Sequence, residues 1–91
     1  MLDDKQTENI EYEKRLAAFK KRYNLKEINT SKTTASAFCI SDYTLRLSRS
    51  TGKLLGTEAP KYTKYGRAVR YHAPNLMSWN EKFNKAELDN E

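Results

Sequence analysis

Between residues 30 and 52 the chain carries two helix starts and one helix stop, and this spacing constrains the fold more than any other feature. Thr30 or Ser31 can cap a short helix over about 31–38, because a hydroxyl there accepts from a backbone N–H that the first turn leaves unpaired. Ala35 and Phe38 sit at an i, i+3 spacing on it, with the small Ala37 between them. Cys39-Ile40-Ser41 breaks the helical pattern. Ser41 or Asp42 then supplies a fresh N-cap for a second helix running to about Ser50 or Thr51. Gly52 stands where a left-handed residue ends a helix. Two short helices joined by a turn of about three residues form a helix-turn-helix.

The run KYTKYGRAVRYH, residues 61–72, is rich in Tyr, Val and Thr with Gly66 near its centre, and reads as a β-hairpin turning at Gly66-Arg67. Alternation carried straight through the run assigns Thr63, Tyr65, Val69 and Tyr71 to an apolar face. Lys64, Arg70 and His72 fall on the other face, with Arg67 at the tip. Residues 53–60 read as a loop. Pro74 suits the first position of a last helix, about 74–84, whose Leu76, Trp79 and Phe83 form a core stripe. Upstream, Tyr12, Leu16, Phe19 and Tyr23 follow the i, i+4, i+7, i+11 pattern of an amphipathic helix, with Asn24 to Asn29 as a linker. Its stripe has two readings, docking on the domain in cis or on a second copy.

The expected fold class is mainly α with a β-hairpin wing: a winged helix-turn-helix plus an extra N-terminal amphipathic helix. The expected organisation is a disordered tail over 1–9, the helix and linker over 10–27, the folded domain over 28–84 and an acidic tail over 85–91. With 91 residues, 37% of them hydrophobic, the chain holds one small domain. Six Tyr, three Phe and one Trp set it apart from aromatic-poor disordered chains.

Charge is the second constraint. The net charge is +5, and residues 44–72 alone carry seven Lys/Arg against Glu58. The preceding segments, 1–29 and 30–43, are nearly balanced, and 73–91 is acidic. A solvated helix face usually mixes both signs. One sign gathered in one segment is what phosphate binding with counterion release requires.

The order TSKTTASAFCISDYTLRLSRSTGK, then APKYTKYGRAVRYHAPNLMSW, resembles the excisionase and AlpA-type family of small winged helix-turn-helix proteins, related to the DNA-binding domain of MerR-type regulators. The shared features are Ser41, Thr44-Leu45-Arg46, Gly52, the wing Tyr62 to Tyr71 and Leu76-Met77-Ser78-Trp79, so the resemblance covers about residues 28–83. The chain has Ser48 where the family carries a packed aromatic, and its loop before Pro60 is longer than usual. The N-terminal helix lies outside the resemblance.

Arg46 and Arg49 lie one turn apart on the second helix, and arginine forks match guanine or phosphate acceptors. The bland alternative is two solvated surface arginines, and the resemblance favours DNA contact. Tyr43 and Thr44, near the start of that helix, can meet a phosphate or a thymine methyl, with core packing as the alternative for Tyr43. Lys64, Arg67 and Arg70 are the expected wing contacts, the alternative being a solubilising edge hairpin. Leu45 and Trp79 read as core, Cys39 as a small buried filler and His72 as a strand-end side chain. One His and one Cys far apart make no zinc site, and no cofactor and no catalytic residue are expected.

The reading that follows is a sequence-specific DNA-binding protein and not an enzyme. The resemblance implies an excisionase, a recombination directionality factor of a prophage or mobile element acting on double-stranded DNA beside an integrase. An AlpA-type transcriptional regulator and a basic protein-interaction module are the alternatives. Homo-oligomerisation on DNA through the N-terminal helix is a further expected mode. The absence of an apolar span or signal-like start, together with a lone thiol, leads to an expectation of a cytoplasmic protein with no membrane partner.

Overall fold

A computed structural model describes residues 4–89, with side chains described for residues 9–82. Helix α1 (Asp4–Tyr23) leads into strand β1 (Ile28–Thr30), and the two short helices α2 (Ser31–Ala37) and α3 (Asp42–Thr51) follow. A two-residue-per-strand hairpin, β2 (Lys53–Leu54) and β3 (Thr57–Glu58), precedes a longer one, β4 (Thr63–Tyr65) and β5 (Ala68–His72). Helix α4 (Ala73–Asp89) closes the chain. The result is a small α/β domain whose antiparallel sheet has the order β1-β5-β4.

The helix boundaries follow from local chemistry. The Thr30 and Ser41 hydroxyls accept from the amides of Thr33 and Thr44, the N-cap arrangement that both residues suit. Three helices end on a left-handed residue. Gly52 has φ 78° and donates its amide to the Ser48 carbonyl. Asn24 (φ 55°) and Cys39 (φ 57°) close α1 and α2 by the same device. In each case the following amide reaches back five residues, Leu25 to Lys20 at 2.8 Å and Ile40 to Ala35 at 3.0 Å. Cys39 is therefore an exposed turn residue and not the small buried filler expected of it. Its side chain points away because the backbone, not the core, sets its position.

The core gathers Phe19, Leu25, Leu45, Leu54, Tyr71, Leu76, Met77 and Trp79. An aromatic chain joins three helices across it: Phe19–Tyr23 and Tyr23–Phe38 centroids lie 5.0 Å apart, and Phe38 meets Trp79 edge-on at 5.2 Å. The α1 stripe thus docks in cis through Leu16, Phe19 and Tyr23. Arg15 of α1 pairs with Glu81 of α4 at 3.4 Å. Tyr12, the fourth member of the stripe, stays 39% exposed. Ser48 is buried and its hydroxyl donates to the Leu45 carbonyl, so this small side chain is satisfied within its own helix.

Several boundaries differ from the sequence reading. Helix α1 is already formed at Asp4, so residues 4–9 are helical where a disordered tail was expected, and α4 continues to Asp89 through most of the expected acidic tail. Apolar periodicity is the signal read from sequence, and these end segments are rich in helix formers while their sequence carries little of that periodicity. Residues 1–3 and 90–91 of those tails, and the Phe83 side chain assigned to the core, lie outside the described residues. The end of the expected 24–29 linker forms β1, which pairs with β5 through Ile28↔His72, Asn29↔Tyr71 and Thr30↔Arg70. Buried Asn29 fixes this junction, accepting from the Lys26 amide at 2.8 Å and donating to the carbonyls of Lys26 and Tyr71. The loop of 53–60 contains the β2–β3 hairpin, turning at Leu55-Gly56.

The 61–72 hairpin turns at Gly66-Arg67 as its sequence predicts, with Gly66 at φ 66°. That left-handed first turn position costs glycine nothing and suits a two-residue connection. Its faces, however, are not those expected. A two-residue turn makes Tyr65 pair with Ala68, so the side-chain parity reverses between the strands, with Thr63↔Arg70 and Lys64↔Val69. Thr63 and Tyr65 therefore share the outer face with Arg70 and His72. The Tyr65 hydroxyl lies 3.2 Å from His72 Nε2. Lys64 joins Val69 and Tyr71 on the inner face, at the exposed end of the hairpin.

Candidate nucleic-acid interface

Helix α3 has three sides. Leu45 and Ser48 face the core. Asp42, Arg46 and Arg49, at i, i+4 and i+7, face the long hairpin. Tyr43 (69% exposed), Leu47 (47% exposed) and Ser50 face outward. Between α3, the start of α2 and the hairpin runs a shallow cleft of about 420 Å³. Five cations line it, Lys32, Arg46, Arg49, Arg67 and Arg70, against the single carboxylate of Asp42.

The pairing of β1 with β5 builds this cleft. Thr30 lies opposite Arg70, and α2 starts at the next residue, so the first turn of α2 is held against the hairpin. Lys32 enters the cleft by that route. The sequence reading passed over Lys32 because a three-residue strand carries no alternation signal and its partner lies 42 residues away.

The arginines are not equivalent. Arg49 is half-buried: its Nη1 donates to the Ser31 hydroxyl at 3.1 Å and to the Tyr71 hydroxyl at 3.2 Å. Its guanidinium also sits 5.9 Å from the Tyr62 ring centroid. It thereby ties α3 to α2 and to β5, two structural links that a solvated arginine would not make. Arg70 donates to the Val69 carbonyl at 2.8 Å, which fixes its stem along the strand. Arg46 and Arg67 are exposed. Burial pushes the Tyr71 phenol above its ordinary value, with the Arg49 hydrogen bond and charge opposing the rise.

Of the seven residues singled out in the sequence, the structure brings four together in the cleft: Arg46, Arg49, Arg67 and Arg70. Lys64 lies outside its lining, on the strand beside Val69. Tyr43 is on the outward side of α3 and exposed, which removes the core-packing alternative for it. Thr44 lies on the opposite side from Arg46, and its hydroxyl is 2.8 Å from that of Ser41 in the helix cap. Leu47, absent from the sequence reading, adds an exposed apolar side chain one turn from Tyr43. The i, i+4 spacing from an exposed tyrosine was the signal that could have found it.

Among the described residues no group of three or more His, Cys, Asp or Glu is arranged to hold a metal ion. No helix among them is long and apolar enough to cross a membrane. Compared with protein-family models, characterised proteins and solved structures, the chain shows no significant match to any.

Proposed function

We propose that the protein binds double-stranded DNA in a sequence-specific manner, with α2 and α3 as a helix-turn-helix and the β4–β5 hairpin as its wing. The carrying observation is the cleft, which collects two arginines of α3 and two of the hairpin, plus Lys32, around one carboxylate. Like charges held side by side repel, and a polyanion relieves that repulsion while releasing its own counterions. In this reading the exposed Arg46, at the edge of the cleft, and Tyr43 and Leu47, on the neighbouring outward side, together enter the major groove. Guanine acceptors and thymine methyls are the features those side chains recognise. Arg67, at the hairpin tip, tracks the backbone or the minor groove.

The narrower reading is an excisionase-type directionality factor acting with an integrase. It rests on the resemblance of residues 28–83 to that family, and an AlpA-type regulator would use the same surface. Neither role needs a catalytic group in this chain. Finding an integrase reading frame beside this one would support the first role, and finding none would favour the second.

The test is selection of bound sequences from a random duplex library at near-physiological salt. A recovered motif supports the proposal, and Arg46→Ala then relaxes the preference while Arg67→Ala weakens all duplexes alike. Uniform, salt-sensitive retention of every sequence overturns sequence-specific recognition and points to an acidic protein as the partner of the basic face.

A further inference from the structure

We infer that the DNA-binding surface extends beyond the cleft along a basic track, across α2 to the end of α1, and that Arg22 and Lys32 hold the phosphate backbone there. The inference deepens the DNA reading and rests on it. Its basis is a second depression of about 550 Å³ on the other side of α2, lined by Arg22, Asn24, Lys32, Thr33 and Ser36 among others. Lys32 lines both depressions, so the two adjoin across one helix. No carboxylate lines the second one. Its remaining polar groups are amide and hydroxyl side chains of the kind that contact phosphate and sugar without reading sequence.

Charge pairing at the end of α1 picks out Arg22. That last turn carries Lys20, Lys21 and Arg22. Lys20 is taken up by Glu27 at 3.1 Å, on the far side of the turn. Arg22 is exposed, lines the depression and rests 5.5 Å from the Tyr23 ring centroid, a placement that keeps its charge available to an anion. Asn24, in its left-handed position, turns the chain away while its amide and that of Leu25 cap the Lys21 and Lys20 carbonyls, and Asn24 itself lines this depression. The track then runs from the hairpin arginines through Lys32 to Arg22. Docking α1 in cis thus has a consequence for binding: it fixes a cation beside a cleft built by other elements.

The experiment is the salt dependence of duplex binding between about 0.05 and 0.2 M KCl. The probe is the selected duplex or, failing a motif, a mixed-sequence duplex of roughly three helical turns. Wild type is compared with Arg22→Ala, Lys32→Ala, Arg67→Ala and, as a control for net charge, Lys14→Ala on the exposed side of α1. Each lost phosphate contact lowers the slope of log K against log salt by about 0.9 and weakens binding roughly five-fold at 0.15 M. The track predicts this for Arg22→Ala and Lys32→Ala, with Lys14→Ala unchanged and all melting curves alike. A slope unaltered in Arg22→Ala and Lys32→Ala but reduced in Arg67→Ala overturns the track and leaves the DNA reading standing. Equal losses in Lys14→Ala and Arg22→Ala also overturn it, since the effect is then one of net charge. A wild-type protein that retains no duplex at low salt overturns the DNA reading and the track together.

Discussion

Arg49→Ala separates a binding residue from a structural one. In the cleft Arg49 and Arg46 look alike, two arginines of one helix facing the hairpin. Their surroundings are not alike. Arg49 donates two hydrogen bonds, to Ser31 and to the hydroxyl of fully buried Tyr71. Each bond has a charged donor but a part-exposed setting, so about 1 kcal/mol apiece, below the range usual for a charged partner, is a conservative figure. Truncation also uncovers part of the Tyr62–Tyr71 pair, whose centroids lie 6.2 Å apart. The sum is a loss of about 2 kcal/mol, which lowers the melting temperature of a domain this size by about 10 °C. Arg46 is exposed, and its truncation stays within about 0.5 kcal/mol of wild type.

Urea unfolding reads this directly, because Trp79 is the only tryptophan and is buried, so its fluorescence reports the core. The expected outcome is a lowered midpoint for Arg49→Ala, a wild-type midpoint for Arg46→Ala and weaker duplex binding for both when each is measured well below its melting temperature. Equal midpoints for Arg49→Ala and wild type would refute the reasoning, since they would mean that the Ser31 and Tyr71 bonds contribute nothing net. A binding assay alone could not tell these two arginines apart.

Two further predictions concern the backbone and pH. Cys39→Gly is expected to stabilise by about 0.5–1 kcal/mol, because a left-handed φ of 57° strains any residue with a Cβ. Gly52→Ala is expected to cost about 1 kcal/mol, all of it in the backbone, since a Cβ there meets nothing within 4 Å. Urea midpoints that move in the same direction for the two variants would refute the argument. The raised Tyr71 pKa means that the folded state favours the neutral phenol. Its contribution to stability is full below the ordinary value of about 10 and is lost as the pH rises through the folded-state value. Wild type should therefore lose stability relative to Tyr71→Phe above about pH 10, the titrations common to both proteins cancelling; parallel curves would contradict it.

What could be read from the sequence was local. Thr30, Ser41 and Gly52 bound helices through side-chain or backbone chemistry acting within four residues, and all three do so in the structure. Gly66-Arg67 set the hairpin turn for the same reason. Asn24 and Cys39 end helices as Gly52 does, but neither residue type announces a left-handed stop as strongly, and Cys39 was misread as core. The face assignment of the hairpin failed on a count: carrying alternation through a two-residue turn ignores that the pairing across it reverses parity. The reading identified four cleft arginines by residue type and position. It missed Lys32 because the proximity of α2 to the hairpin comes from β1, whose three residues pair far along the chain.

That non-local pairing also bears on how the cleft works. The fold holds two of the cleft cations by uncharged groups: Arg49 by two hydroxyls and Arg70 by a backbone carbonyl. Such contacts fix positions without an ion pair, so these two side chains are partly ordered before any partner arrives. An anion bound across them then loses less to side-chain ordering than it would on flexible surface lysines. Asp42 is the one carboxylate in the lining, and it sits in the first turn of α3, where the helix dipole already favours it. The cleft therefore keeps most of its positive field while satisfying the helix start, and the strand pairing that completes the sheet is what brings those cations to one place.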